Sequence, residues 1–173
     1  MYEIALFGGN EVNFQVLNKI LSESAFFEGN EVYSYWESNK KLTYSSIIIN
    51  NKPIIKQKSL SADLVIVTDE KILKKNEISS IFKKNTTLII NTKKENKDFL
   101  KFKKNKIKII TINFKELEQD LTFSVLAALY AHTDILNLKN TIKVFDKFYP
   151  DDEKNKNKKI LKQTIEIVKH ISQ

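Results

Sequence analysis

The sequence predicts an α/β fold: a Rossmann-like layered domain with a mostly parallel central sheet, an antiparallel edge hairpin and a helical C-terminal region. Three observations point to it. The short apolar run Ile4-Ala5-Leu6-Phe7 stops at Gly8-Gly9 and gives way to apolar residues at helical spacing. Leu64-Val65-Ile66-Val67 is a continuous apolar run bounded by polar residues, the pattern of a parallel strand buried on both faces. Strands then alternate with helical pieces before a long helical end.

Taken in order, the first strand ends at the glycine turn. From about Val12, the residues Val12, Val16, Leu17, Ile20, Leu21, Ser24 and Phe27 fall on one helical stripe. Gly29 stands where a helix-terminating glycine belongs. Val32-Tyr33-Ser34-Tyr35-Trp36 reads as a second strand, in which Tyr35 and Trp36 suit either a core or an interface, with core the default. The β-rich segment from Thr43 to Ile49, the turn Asn50-Asn51-Lys52-Pro53 and a short strand from Ile54-Ile55 read as a hairpin. Ile72, Leu73, Ile78, Ile81 and Phe82 suggest helical pieces; Thr87-Leu88-Ile89-Ile90-Asn91 and the run from Ile107 to Ile112 suggest two more strands. The segment from Phe114 to Ala131 is apolar at helical spacing, with Ala127-Ala128 allowing close packing. Asn137 is a plausible N-cap for a helix ending before Pro150; the stretch from Asp151 to Lys159 reads as a charged linker or first turn, and Ile160 to Ile171 as a last amphipathic helix.

The chain has 173 residues, 42% of them hydrophobic, which suits one domain over residues 1–173. It contains no Cys and no Arg, so all 29 of its cationic side chains are Lys. Without Cys, disulfides, thiolate catalysis and iron–sulfur ligation by this chain are excluded. His132 and His170 lie far apart in sequence, which argues against a histidine-rich metal site, and no catalytic constellation stands out. The net charge of +8 is spread among acids and reads as a solvated surface; nucleic-acid binding is not expected. No basic leader precedes Ile4, and the apolar runs are too short to span a bilayer, so the expected location is the cytoplasm, with no membrane partner.

Gly8-Gly9-Asn10 is the one candidate ligand loop, because backbone N–H groups at a helix N-terminus attract anions. A tight strand-to-helix turn without a ligand explains the same residues. Glu11 is expected in the first helical turn, where it would compete with a phosphate. Lys40-Lys41, between the second strand and the expected hairpin, read as either an anion or subunit contact or a solvated loop. His132 is expected to interact with a helix C-terminus.

The order of residues over nearly the whole chain resembles the gamma subunit, or gamma domain, of 2-oxoacid:ferredoxin oxidoreductases such as the pyruvate and ketoisovalerate enzymes. Tyr2 to Gly8 is similar to the family's first strand and the opening of its G-x-G-G-Q-G loop. Ile20-Leu21, Ala25-Phe26-Phe27-Glu28-Gly29 and Val32 are similar to a helix ending in A-F-x-E-G. Asn39-Lys40-Lys41, through the β segment to Asn50-Asn51-Lys52-Pro53-Ile54, resembles an E-R-R-G segment, strand and x-x-P-I turn. Val125-Leu126-Ala127-Ala128-Leu129 with Leu136-Asn137-Leu138 resembles the closing helical region.

The resemblance implies a subunit of a complex that oxidatively decarboxylates a 2-oxoacid to acyl-CoA and reduces ferredoxin. It places thiamine diphosphate, magnesium and iron–sulfur clusters on catalytic and ferredoxin-like partner subunits, leaves no tightly bound cofactor on this chain, and makes coenzyme A a candidate ligand and a homodimer a candidate contact. Carried over residue by residue, it puts the cofactor-binding positions at Gly8, Gly9, Asn10, Asn13, Lys40 and Lys41. If the loop aligns without gaps, Gly8 is kept, while Asn10, Glu11 and Asn13 stand at three family glycines and Val12 at the glutamine. Asn tolerates positive φ, so Asn10 and Asn13 are expected to keep the turn's shape. Lys40-Lys41 keep the charge of the family's arginine pair without its planar fork, and Leu42 replaces the following glycine. A mainly structural subunit with a weakened anion loop is the expectation. A stand-alone α/β binding module and a basic nucleic-acid binder are the alternatives.

Overall fold

In a computed structural model the described residues are 1–9, 11–39, 42–55, 61–74, 76–117 and 120–171. They form a six-stranded sheet in the order β2-β3-β1-β4-β5-β6. Its strands are β1 (Tyr2–Gly8), β2 (Glu31–Asn39), β3 (Leu42–Asn50), β4 (Ala62–Val67), β5 (Phe82–Asn91) and β6 (Lys108–Ile112). β1, β4, β5 and β6 run parallel, with Ile4 beside Leu64, Leu64 beside Thr87 and Thr87 beside Lys108. β3 runs antiparallel to both β1 and β2. The mostly parallel sheet with an antiparallel pair at one edge is as expected.

The parallel strands bury both faces, which is why they read as unbroken apolar runs. Ile4, Leu6, Leu64, Ile66 and Ile89 face one core with helices α1 (Phe14–Phe26), α2 (Leu121–His132), α3 (Leu138–Phe148) and α4 (Asp151–Ile171). Ala5, Phe7, Val65, Val67, Leu88 and Ile90 face a second core. That second core is closed by 3-10 segments at Glu70–Lys74, Asn76–Ile81 and Asn96–Asn105, which supply Ile72, Leu73, Ile78 and Phe99.

Local chemistry sets the helix ends. Asn13 caps α1, its Oδ1 accepting the Val16 N–H at 3.1 Å. At the other end Gly29 takes φ +76°, and the Asn30 and Gly29 N–H groups donate to the Ala25 and Phe26 carbonyls, the paired bonds of a Schellman motif. Asn137 caps α3 through the Lys139 N–H at 2.8 Å, as its sequence position suggested. Tyr149 ends α3 in an extended conformation, as a residue before proline must.

Several expectations need correction. The hairpin is β2–β3, not a pair formed across Asn50–Pro53; Ile54 and Ile55 are not a strand, and Ile55 is exposed. Lys40 and Lys41, between β2 and β3 in sequence, lie outside the described residues, as does Asn10. α1 begins at Phe14, so Val12 and Glu11 precede it. Phe27 is half exposed rather than on the buried stripe, and Trp36 is half exposed rather than core. Phe82 opens a strand. The segment from Phe114 is a 3-10 turn, Phe114–Leu117, followed by α2 capped by Asp120 through the Thr122 N–H. The charged stretch after Pro150 is no linker: it is the first half of α4, started by Asp151, Asp152 and Glu153 where acids complement the helix dipole.

Candidate functional site: a crevice at the strand ends

Parallel strands end together, and the loops that follow them face one side of the sheet. β1 feeds α1 on one face, and β4 feeds the 3-10 segments on the other. The two strands are neighbours, so the connections diverge between them, the place where α/β sheets open a crevice. A cavity of about 530 Å³ lies there. Gly9 and Glu11 enter it after β1; Thr68, Asp69, Glu70 and Lys71 after β4; Asn91, Thr92, Lys93 and Lys94 at the end of β5; Asn113 and Lys115 after β6.

Part of this lining is structural. Asn91 donates to the Thr68 carbonyl and accepts the Phe114 N–H, both at 2.9 Å, tying three strand ends together. Glu70 bridges two loops: Lys94 Nζ lies 2.6 Å from one carboxylate oxygen and the Thr92 hydroxyl donates to the other at 2.5 Å. The Lys94 contact, with Thr92, holds the Glu70 carboxyl below its usual range. Asp69 accepts the Lys71 N–H at 2.9 Å. Among the described residues Lys71, Lys93, Lys115 and Glu11 form no ion pair. Among the described residues the crevice thus offers three ammonium groups and two carboxylates, Glu11 and Asp69, that form no ion pair.

The glycine turn behaves differently. Gly8 is required by the protein itself: a Cβ there would lie 2.4 Å from Thr68 Oγ1 and 3.1 Å from the Phe14 ring. A Cβ on Gly9 would meet nothing within 4 Å. Asn13 has φ −79°, so it serves as a helix cap and not as a positive-φ substitute for glycine, a correction to the expected reason for its presence. The first donors of α1 are largely used internally. The Asn13 N–H donates to Thr122 Oγ1 at 3.1 Å, Phe14 N–H to the Val12 carbonyl and Val16 N–H to Asn13. Val12 is buried and offers no polar group, whereas Glu11 is exposed, in the turn before the helix rather than in its first turn.

Of the three described positions among the six singled out in the sequence, Gly8, Gly9 and Asn13, Gly9 alone lines the crevice; Asn10, Lys40 and Lys41 lie outside the described residues. Gly8 lies just behind it as the last residue of β1, and Asn13 at the start of α1. Lys71, Lys93, Lys94 and Lys115 were missed. Their signal is positional, since each follows an apolar strand run within a few residues. No three His, Cys, Asp or Glu side chains gather as a metal site among the described residues. Burial, with Lys108 nearby, lowers the pKa of His132, the last residue of α2.

Residues 14–167 match the family model described as pyruvate ferredoxin/flavodoxin oxidoreductase. The chain belongs to this family. No curated protein matches it in sequence. Among solved structures its fold is similar to the pyruvate oxidoreductase subunit PORC of Thermotoga maritima, with TM-score 0.76, 22% identity and 95% of each chain covered. It is also similar to the gamma subunit of keto/oxoacid ferredoxin oxidoreductase from Geobacter sulfurreducens, with TM-score 0.72, 15% identity, and 97% of this chain and 98% of that one covered. A third similar structure is the 2-oxoglutarate:ferredoxin oxidoreductase of Magnetococcus marinus with 2-oxoglutarate, coenzyme A and succinyl-CoA bound. There the TM-score is 0.78 and the identity 13%, over 98% of this chain but 31% of that one, so in that enzyme the fold is one part of a longer polypeptide. Within the family, the gamma-type resemblance drawn from the residues holds at the level of fold over the full chain. No helix among the described residues is long and apolar enough to cross a membrane.

Proposed function

We propose that this chain is a gamma-type, mainly structural subunit of a cytoplasmic 2-oxoacid:ferredoxin oxidoreductase complex, and that its glycine loop has weakened anion binding. The observation that carries the reading is the family match over residues 14–167. In such a complex thiamine diphosphate, magnesium and iron–sulfur clusters do the oxidative decarboxylation and electron transfer on partner subunits. Iron–sulfur ligation needs cysteine thiolates, and this chain has none.

The weakened loop is supported by the capped start of α1, the buried Val12 and the exposed Glu11. Coenzyme A would therefore find little at the loop. Contact with its phosphates would fall to Lys71, Lys93, Lys94 and Lys115 on the opposite wall.

Co-expression with the genes flanking its own should give a complex that contains thiamine diphosphate. A chain that stays alone under those conditions refutes the subunit reading. Calorimetry with coenzyme A on the isolated chain tests the loop. Binding weaker than about 1 mM is expected, and Glu11→Gln should strengthen it. A Kd below about 10 µM, lost on Gly9→Val, refutes a weakened loop.

A further inference from the structure

The two edges of the sheet are built differently. β6 is five residues long, carries Lys108 and packs against the 3-10 segment Asn96–Asn105. β2 is nine residues long and, among the described residues, pairs with β3 alone. Its register runs unbroken from Glu31 beside Asn50 to Asn39 beside Leu42. It contains no proline, lysine or bulge, and its only charged residues are Glu31 and Glu37.

What borders this edge is suited to contact. Trp36 is 49% exposed, on a strand that also carries Tyr33 and Tyr35. Trp and Tyr are enriched where proteins meet. α1 packs on β2 and β3.

We propose that the outer edge of β2 receives an extended, cation-bearing segment of a catalytic partner subunit, which adds a strand to the sheet. Strand addition uses the free backbone groups for affinity and alternate side chains for selection. Glu31 and Glu37 lie on one face of β2 with Tyr33 and Tyr35, whereas the strand itself has no cation although the chain holds 29. Lysine or arginine opposite those two glutamates is the favourable cross-strand choice. A second copy of this chain would bring the same two carboxylates and no cation between its own Glu31 and Asn39.

The inference rests on the reading of the chain as a complex subunit, and the experiment separates the two. Hydrogen exchange is compared between the full chain alone and the complex formed on co-expression with the subunits encoded beside it. Amides of residues 31–39 should exchange at least about tenfold more slowly in the complex. The double substitution Glu31→Lys, Glu37→Lys and, separately, Trp36→Ala should each weaken assembly at least about tenfold while leaving the urea midpoint of the isolated chain unchanged. A complex in which residues 31–39 exchange as in the free chain overturns the proposal and leaves the subunit reading standing. Protection of β2 that grows with the concentration of the isolated chain assigns the edge to a second copy and also overturns it. If no complex forms, the subunit reading fails and this one falls with it.

Discussion

Replacing Gly8 by alanine tests whether the glycine turn is built for a ligand or for the protein's own packing. The new Cβ would sit 2.4 Å from Thr68 Oγ1, and 3.1 and 3.3 Å from two carbons of the Phe14 ring. The first distance is shorter than any carbon–oxygen contact can be held, so the Thr68 side chain must turn or the backbone after β4 must move. Thr68 is anchored by its N–H to the Phe7 carbonyl at 2.8 Å, and Phe14 is buried at the start of α1, so neither yields freely. Overpacking of this kind costs about 1–3 kcal/mol. For a domain of this length that lowers Tm by roughly 2–12 °C. Urea and thermal unfolding of Gly8→Ala measure the loss. Thr68→Ala in the same chain removes the closest atom and should restore about half of it or more, a coupling that only direct contact produces. Gly9→Ala is the control: its Cβ has open space, and stability should change by less than about 1 kcal/mol. Gly8→Ala within about 0.5 kcal/mol of the parent, or a Thr68→Ala background that recovers nothing, would refute the reasoning.

Two further outcomes follow from charges away from the crevice. At the opposite end of the sheet Lys83 lies 2.5 Å from Glu3, which is almost wholly buried, and 3.0 Å from Asp63. Lys83→Met should destabilise the chain by about 3 kcal/mol by stranding the Glu3 carboxylate, and adding Glu3→Gln should recover most of it; equal stability of the two variants in chemical denaturation would contradict this. Burial alone would lower the Lys83 pKa, but Glu3 and Asp63 outweigh it and leave it raised, so its contribution is held below the ordinary 10.5 and lost at more alkaline pH. For His132 the sign is reversed. Burial lowers its pKa, so the unfolded chain takes up the proton first and stability falls as pH drops below the ordinary 6.5. Melting curves of His132→Gln should lose that part of the acid slope; an unchanged slope would assign it to other groups.

Much of the sheet was legible because burial on both faces leaves a simple mark. The runs at Leu64–Val67 and Leu88–Ile90 are apolar throughout since every side chain enters one of two cores. Gly29 and Asn137 were legible for a different reason. A positive-φ helix end and an N-cap are local events, decided by a residue and its near neighbours. The hairpin was misplaced because Asn50-Asn51-Lys52-Pro53 has turn-forming residue types and Lys40-Lys41, the sequence between β2 and β3, does not. Pairing of nine residues on each side outweighs such local preferences. Trp36 was misread because a strand's apolar residue points to a core only if something covers it there. Edge position is a property of strand order, which no local pattern states.

The same distinction explains the site. A glycine-rich loop is a local motif, so the departures from the resembled pattern at Glu11 and Val12 are visible in the sequence. The reason assigned to Asn13 was nevertheless wrong: capping and positive φ both favour asparagine, and only the backbone angle of −79° separates them. The crevice is not local at all. Its lysines come from the ends of β4, β5 and β6, brought side by side only once those strands lie parallel in adjacent positions. This bears on what the degenerate loop implies. In a site carried by one loop, losing three glycines would remove the anion affinity altogether. Here the opposite wall is separately encoded and, among the described residues, carries three lysines without an ion pair, so under the proposed function weakened binding at β1 would leave the wall from β4 to β6 intact. An isolated chain that binds coenzyme A poorly through its loop, yet loses what binding remains on Lys93→Ala or Lys115→Ala and not on Gly9→Ala, is the behaviour that this arrangement requires.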